Sequence, residues 1–219
     1  PKAIARKRFK AAFHTNGQTG ACLKRLDVHE SIYEDLCAEL AVQARAAAVG
    51  DGMAEGTELG PLQNEEQRQI VQSLADNARA QGARLLTGGQ AIDRAGYFFE
   101  PTIVADISNG TPLVDEEQFG PILPVIKYHD LDEAIALAND NPNGLGGSIW
   151  SNDTTQAATL ALRLECGTAC INEHGALQPD APFGGIQHSG IGVEFGHYGL
   201  AAYTSLQTIK IMKRGRLRT

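Results

Sequence analysis

Phe13-His14-Thr15-Asn16-Gly17-Gln18-Thr19-Gly20 separates two kinds of sequence pattern, and the fold is read outward from it. On its N-terminal side, residues 2–13 are rich in Ala, Lys and Arg and read as a helix. Asn16-Gly17 at its centre is turn chemistry. On its C-terminal side, Leu23 to His29 is strand-like. A longer helix then opens at Glu30-Ser31 and runs to about Ala48, with Ile32, Leu36 and Leu40 at helical spacing.

The alternation continues down the chain. Gly50 to Pro61 is a loop with four glycines. A helix from about Glu65 to Gln81 stops at Gly82, which suits a C-cap. Ala83 to Thr87 is a short strand. Tyr97 to Val104 is extended, and Pro101 within it predicts an edge or irregular strand, because proline donates nothing to a ladder. Ile122 to Tyr128 is a strand, and Asp130 opens a helix to near Asn139. Gly147 to Trp150 and Gly167 to Asn172 are short strands flanking a helix from Asp153 or Thr154 to about Leu164. A short helix around Phe195 to Leu200 leads to a predicted final strand, Tyr203 to Ile211. Strands alternating with helices imply βαβ units. The fold class is therefore α/β, an open, mostly parallel twisted sheet with flanking helices.

Composition bounds the function. The chain has 219 residues, 42% hydrophobic and 21% charged, which is ordinary for a globular domain. No apolar run reaches the roughly 20 residues needed to span a bilayer, so no membrane association is expected, and a cytoplasmic location is. Net charge is -7. Lys2, Arg6, Lys7, Arg8 and Lys10 crowd the start, and Lys210, Lys213, Arg214, Arg216 and Arg218 the end. These basic ends lack interleaved aromatics and the body is acidic, so nucleic acid is not expected as a partner. Cys22, Cys37, Cys166 and Cys170 form no disulfide framework, and the six histidines share no metal-ligand spacing.

Several motifs, in order, carry a resemblance. Residues 13–20 resemble the active-site segment Phe-x-Asn-x-Gly-Gln-x-Cys of the aldehyde dehydrogenase superfamily, with Lys24-Arg25-Leu26 keeping register. Gly60-Pro61-Leu62 resembles that family's Gly-Pro pair. Gly96-Tyr97-Phe98-Phe99-Glu100-Pro101-Thr102 resembles Gly-x-Phe-x-x-Pro-Thr, and Glu117-Gln118-Phe119-Gly120-Pro121 resembles Glu-x-Phe-Gly-Pro. Asn139 to Gly144-Leu145 and Pro182-Phe183-Gly184-Gly185 with Ser189-Gly190 complete the set. The resemblance covers nearly the whole chain and implies the family's catalytic domain at residues 1–202, with a former oligomerisation segment at 203–219.

The resemblance implies NAD(P)-dependent aldehyde oxidation, in which a thiolate attacks the aldehyde and hydride passes to nicotinamide. It places Gly20 in the slot of the nucleophilic cysteine and Thr15 in that of the asparagine. Glu117 looks like the acceptor for the nicotinamide ribose; read alone, it is a solvated loop carboxylate. Phe119 looks like the ring beside the nicotinamide, or is a core aromatic. Asn172, Leu177 and Phe183 align with the substrate pocket; Asn172 is otherwise a turn-capping amide, and the other two are otherwise core. Cys22 is the nearest sulfur to Gly20, or a small apolar filler. No bound cofactor or metal is expected.

The family's dinucleotide-binding domain precedes its cysteine, and only nineteen residues precede Gly20. The expectation is a catalytic-domain remnant, inactive or keeping trace esterase chemistry; the alternative is a non-catalytic scaffold. Arg6, Lys7, Arg8, Lys10, His14 and Asp27 are expected as solubilising charges on a former interface, in a domain selected or engineered to stand alone. A monomer is expected first and a homodimer second.

Overall fold

The computed structural model describes residues 2–212. Helix α1, Lys2–Phe13, ends in the turn His14–Gly17 and is followed by strand β1, Leu26–His29, and helix α2, Glu30–Ala46. Helix α3 is Glu65–Ala80, β2 Arg84–Thr87, β3 Thr102–Ile107, α4 Pro112–Asp115, β4 Ile122–Tyr128 and α5 Leu131–Asn139. The four strands form one sheet in the order β1-β4-β3-β2, parallel except where β2 meets β3.

Period-two alternation sends the sheet's side chains into two layers. Ile103, Ala105, Leu123 and Val125 face Phe9, Phe13, Tyr33, Leu36 and Leu40 of α1 and α2. Val104, Ile122 and Ile126 face Val71, Leu74 and Leu113 of α3 and α4. Both faces of the sheet are thus covered, which a parallel sheet requires.

Two strand expectations change. The extended segment at Pro101 is internal rather than an edge, because β3 starts at Thr102 and leaves the proline outside the ladder, while the irregular alternative holds, with register shifts in both of its pairings. Within β3, Asp106 takes a left-handed φ of 53° and the register shifts between Val104 and Ile107. This bulge reverses the alternation, so Ile107 joins the same layer as Val104. The Asp106 N–H, peeled from the ladder, donates to the Tyr33 hydroxyl at 2.7 Å, and that hydroxyl donates to the Val125 carbonyl at 3.0 Å. Tyr33→Phe strands both backbone groups in a site where residue 33 is 1% exposed. The expected cost is about 1–3 kcal/mol, read as a fall in Tm of several degrees; an unchanged Tm would deny the bridge its role.

The second part of the chain is built from short pieces: β5 Asn143–Gly144, β6 Gly146–Ile149, α6 Thr154–Ala161, β7 Thr168–Ile171, β8 Phe183–Gly184, β9 Ile186–Gln187, β10 Val193–Glu194 and α7 Gly196–Ala201. Strands β6 and β7 pair in parallel, and β5 with β9 and β8 with β10 pair antiparallel. Among the described residues neither β1 nor β6 has a partner on its second edge.

The expected strand Tyr203 to Ile211 is not formed. A strand exists by pairing its N–H and C=O groups, and among the described residues none pairs with 203–212; Leu206, Ile209, Ile211 and Met212 stand exposed. Lys213, Arg214, Arg216 and Arg218 lie outside the described residues. No described helix is long and apolar enough to cross a membrane.

Candidate active site

The turn after α1 is built from three successive left-handed residues, Thr15 at φ 49°, Asn16 at 58° and Gly17 at 75°. Neighbouring segments hold it. The Asn16 side-chain amide donates to the Gly60 carbonyl at 2.9 Å. Gln18 donates to the Pro61 carbonyl at 3.3 Å and accepts from the Gln63 N–H at 2.8 Å. Lys24 donates to the Gly17 carbonyl at 2.7 Å. The Gly60-Pro61-Leu62 motif is thus the clamp on the 13–20 segment.

Gly20 follows the clamp and is exposed. A Cβ there would meet only Leu145, at 3.5 Å, an ordinary contact. Cys22 is 6% exposed, and its thiol donates to the His14 carbonyl at 3.2 Å. Burial pushes that thiol above its usual pKa, against the opposing pull of Lys24. Cys22 therefore behaves as buried filler.

Gly20 opens onto a cavity of about 990 Å³ lying between the free edges of β1 and β6. Glu117 and Asn172 line the same cavity. Phe183 lines a second recess of about 20 Å³, again beside Gly20. Phe119 and Leu177 line neither space. Leu177 is 48% exposed. The Asn172 amide accepts from the Ser151 N–H at 3.0 Å and donates to the Ser151 carbonyl at 2.9 Å, so both its polar atoms cap a turn.

Glu117 and Phe119 meet through Lys24, whose ammonium lies 3.5 Å from the carboxylate and 4.6 Å from the ring centroid. Burial lowers the Lys24 pKa, and Glu117 opposes the shift. Buried Gln118 fixes this loop by donating to the Lys24 and Ile122 carbonyls at 2.8 and 2.9 Å. An exposed carboxylate beside an exposed aromatic ring fits the ribose and nicotinamide end of a dinucleotide: one accepts from hydroxyls, the other packs on a flat ring.

Two of the expected surface charges are not on the surface. Arg6, Lys7, Lys10 and His14 are exposed, but Arg8 is 5% exposed and stacks on Trp150 with its guanidinium 3.4 Å from the ring centroid. The Arg8 Nε and Nη1 atoms are buried without partners, and burial brings its pKa down to about 10. A helix that presents Arg8 inward finds an aromatic face there instead of water. Asp27 likewise lines the cavity, with a buried and unpartnered Oδ1.

Burial raises the Asp27 carboxyl to about 6, although Arg25 pulls the other way. The folded chain then holds this proton at pH values where the unfolded chain has lost it. Stability is undiminished below about pH 4 and falls as pH rises to about 6, by up to about 3 kcal/mol. Asp27→Asn is expected to flatten this dependence in thermal unfolding across pH 4–7. A slope equal to wild type would place the titration elsewhere.

Sequence reading also missed Ser148 and His174. The Ser148 hydroxyl lies 2.9 Å from Nδ1 of His174 and accepts from the Trp150 indole at 3.1 Å, and both residues line the cavity. Ser148 on β6 and Trp150, one residue past its end, fall on one side of the chain by their spacing of two. That spacing was the available signal; the meeting with His174 depends on the pairing of β6 with β7. Among the described residues no group of three His, Cys, Asp or Glu could hold a metal.

Comparison with known proteins bears on this site. The model of the aldehyde dehydrogenase family matches residues 2–209. Aldehyde dehydrogenase of Enchytraeus buchholzi is 36% identical over 195 residues, covering 89% of this chain and 39% of that protein. Succinate-semialdehyde dehydrogenase [NADP(+)] 1 of Mycobacterium tuberculosis is 35% identical over 196 residues, covering 90% and 43%. Among solved structures, an NAD+ complex of aldehyde dehydrogenase from Bacillus cereus superposes with TM-score 0.89 at 32% identity, over 92% of this chain and 41% of that one. Betaine aldehyde dehydrogenase from Staphylococcus aureus gives 0.87 at 34%, over 91% and 40%. The chain spans less than half the length of the relatives it matches.

Proposed function

The chain belongs to the aldehyde dehydrogenase family, and we propose that it is a catalytic-domain unit of that family whose nucleophile position is Gly20, so that it does not oxidise aldehydes through a cysteine adduct. One observation carries this reading. The residue that opens onto the cavity from the clamped 13–20 turn has no side chain, and the nearest sulfur, on Cys22, is buried and engaged. A nucleophile misplaced by even about 1 Å loses orders of magnitude in rate.

Glu117 and Phe119 are the residues that would hold the ribose and nicotinamide of NAD or NADP. When bound, that cofactor supplies a hydride acceptor. The chain's own share is positioning: Lys24 ties the Glu117 loop to the Gly17 turn, and Gln118 fixes the loop's backbone.

The test is a pair of measurements on the 219-residue chain. No NAD(P)-coupled oxidation of acetaldehyde, succinic semialdehyde or betaine aldehyde is expected, and no micromolar cofactor binding by calorimetry. Turnover with Gly20 intact would overturn the reading. A second reading, a non-catalytic interaction domain, draws on the exposed Leu206, Ile209, Ile211 and Met212. An apolar run of this kind invites association, and sedimentation distinguishes the monomer expected first from a dimer.

A further inference from the structure

Ser148 and His174 make up a second set of reactive groups in the cavity, independent of what stands at position 20. The pairing of β6 with β7 is in parallel register, with Ser148 opposite Cys170 and Ile149 opposite Ile171. The chain then turns at Asn172, which takes φ 60° and caps Ser151. His174 is brought back over β6, and Nδ1 comes to 2.9 Å from the Ser148 oxygen.

The proton positions follow from the partners. An indole N–H can only donate, so the Ser148 oxygen accepts from Trp150. Its own proton is left for a different acceptor. Burial lowers the His174 pKa, against the opposing pull of the Cys22 and Ala21 backbone carbonyls. The ring is therefore neutral near pH 7 and carries one N–H. With the Ser148 oxygen already accepting from Trp150, its hydroxyl proton points to Nδ1, so Nδ1 is the bare nitrogen and the ring N–H belongs at Nε2. A hydroxyl held against a bare imidazole nitrogen is the core of an activated serine.

We infer that Ser148 and His174 form a nucleophile–base pair that hydrolyses small carboxylic esters in the cavity between β1 and β6. A volume of about 990 Å³ admits an acyl group of several carbons with its alcohol. In the first step the Ser148 oxygen bonds the acyl carbon and its proton moves to Nδ1. The bond to the alcohol oxygen breaks, and that oxygen takes the proton. Water then attacks the acyl-serine and gives a proton to Nδ1. The bond to Ser148 breaks, and the serine oxygen recovers the proton. Ester and water become acid and alcohol, and no other reactant is consumed.

Two measurements on the full chain test this. Diisopropyl fluorophosphate is added to the unmodified protein and the labelled peptide is mapped by mass spectrometry. The label is expected on Ser148; no label, or a label only on other residues, overturns the inference. Hydrolysis of p-nitrophenyl acetate is followed for wild type, Ser148→Ala and His174→Gln, each checked for native circular dichroism. Each variant is expected to lose about 100-fold in rate. Wild-type rates in a folded Ser148→Ala overturn the inference. The labelling needs no variant and so survives a failure of either variant to fold. It also reads serine alone, so its failure leaves the reading of Gly20 standing.

Discussion

Gly20→Cys is expected to give the chain a thiol that reacts far faster than its four native ones. The new side chain meets no obstacle, since its Cβ would rest 3.5 Å from Leu145 and the backbone at Gly20 is not left-handed. It stands exposed at the mouth of the cavity. The native thiols are handicapped. Burial raises all four, and takes Cys37 to about 11. Two pKa units lower the thiolate fraction about 100-fold at neutral pH. Iodoacetamide followed by peptide mapping should therefore mark Cys at position 20 about 100-fold faster than Cys37, with Cys22 lagging because it is buried and its thiol donates to the His14 backbone carbonyl. The variant should also form a thioester with p-nitrophenyl acetate, visible as a mass increase on the peptide holding residue 20. A thioester at Cys22 with residue 20 unmodified would shift the register and remove the case for a vacant nucleophile position.

The parts of this fold that local pattern specifies were legible in the chain. Strand Ile122–Tyr128 runs between its predicted ends, because continuous apolar residues bounded by turn chemistry leave little choice. The helices α3 and α5 carry capping residues that sequence displays, Asn64 accepting from the Gln67 N–H and Asp130 from the Glu133 N–H. What failed was whatever depends on a distant partner. Pro101 argued for an edge or irregular strand; the strand starts one residue later and lies inside the sheet, and its register is irregular. The bulge at Asp106 is supported by a hydroxyl 73 residues away. Residues 203–211 carry a strand pattern but find no ladder among the described residues. Arg8 read as a surface charge because helical spacing cannot reveal that Trp150 waits on its inner face.

The site divides the same way. Gly20 and Glu117, read from separate motifs, line one cavity. Leu177 and Phe119 fall outside it. Asn172 spends both polar atoms on Ser151, the turn-capping alternative that its position at a strand end allowed. Ser148 and His174 are 26 residues apart and belong to no motif read from the chain. Their contact is a product of strand pairing, which single-sequence patterns do not encode.

Gly17→Ala is expected to be strongly destabilising. Gly17 sits at φ 75°, where an alanine Cβ is strained at about 1 kcal/mol or more. The added carbon would also fall on the backbone of Gly120, directly against its carbonyl oxygen and 2.7 Å from its carbonyl carbon. Backbone cannot rotate away as a side chain does. Gly120 cannot retreat either, because its far side packs against Val71 and Leu62 in the second core layer. The two costs together come to about 3 kcal/mol or more, which lowers Tm by about 10 °C in a chain of this size. Gly20→Ala is the matched control: the same methyl three residues later meets open space and should move Tm by no more than about 2 °C. The contrast also tests the site's construction. The approach of Gly17 to Gly120 is what lays the Glu117–Phe119 loop against the turn, with Lys24 spanning the two. If Gly17→Ala melts with wild type, the turn and the loop are not packed against each other, and Glu117 has no fixed place beside Gly20.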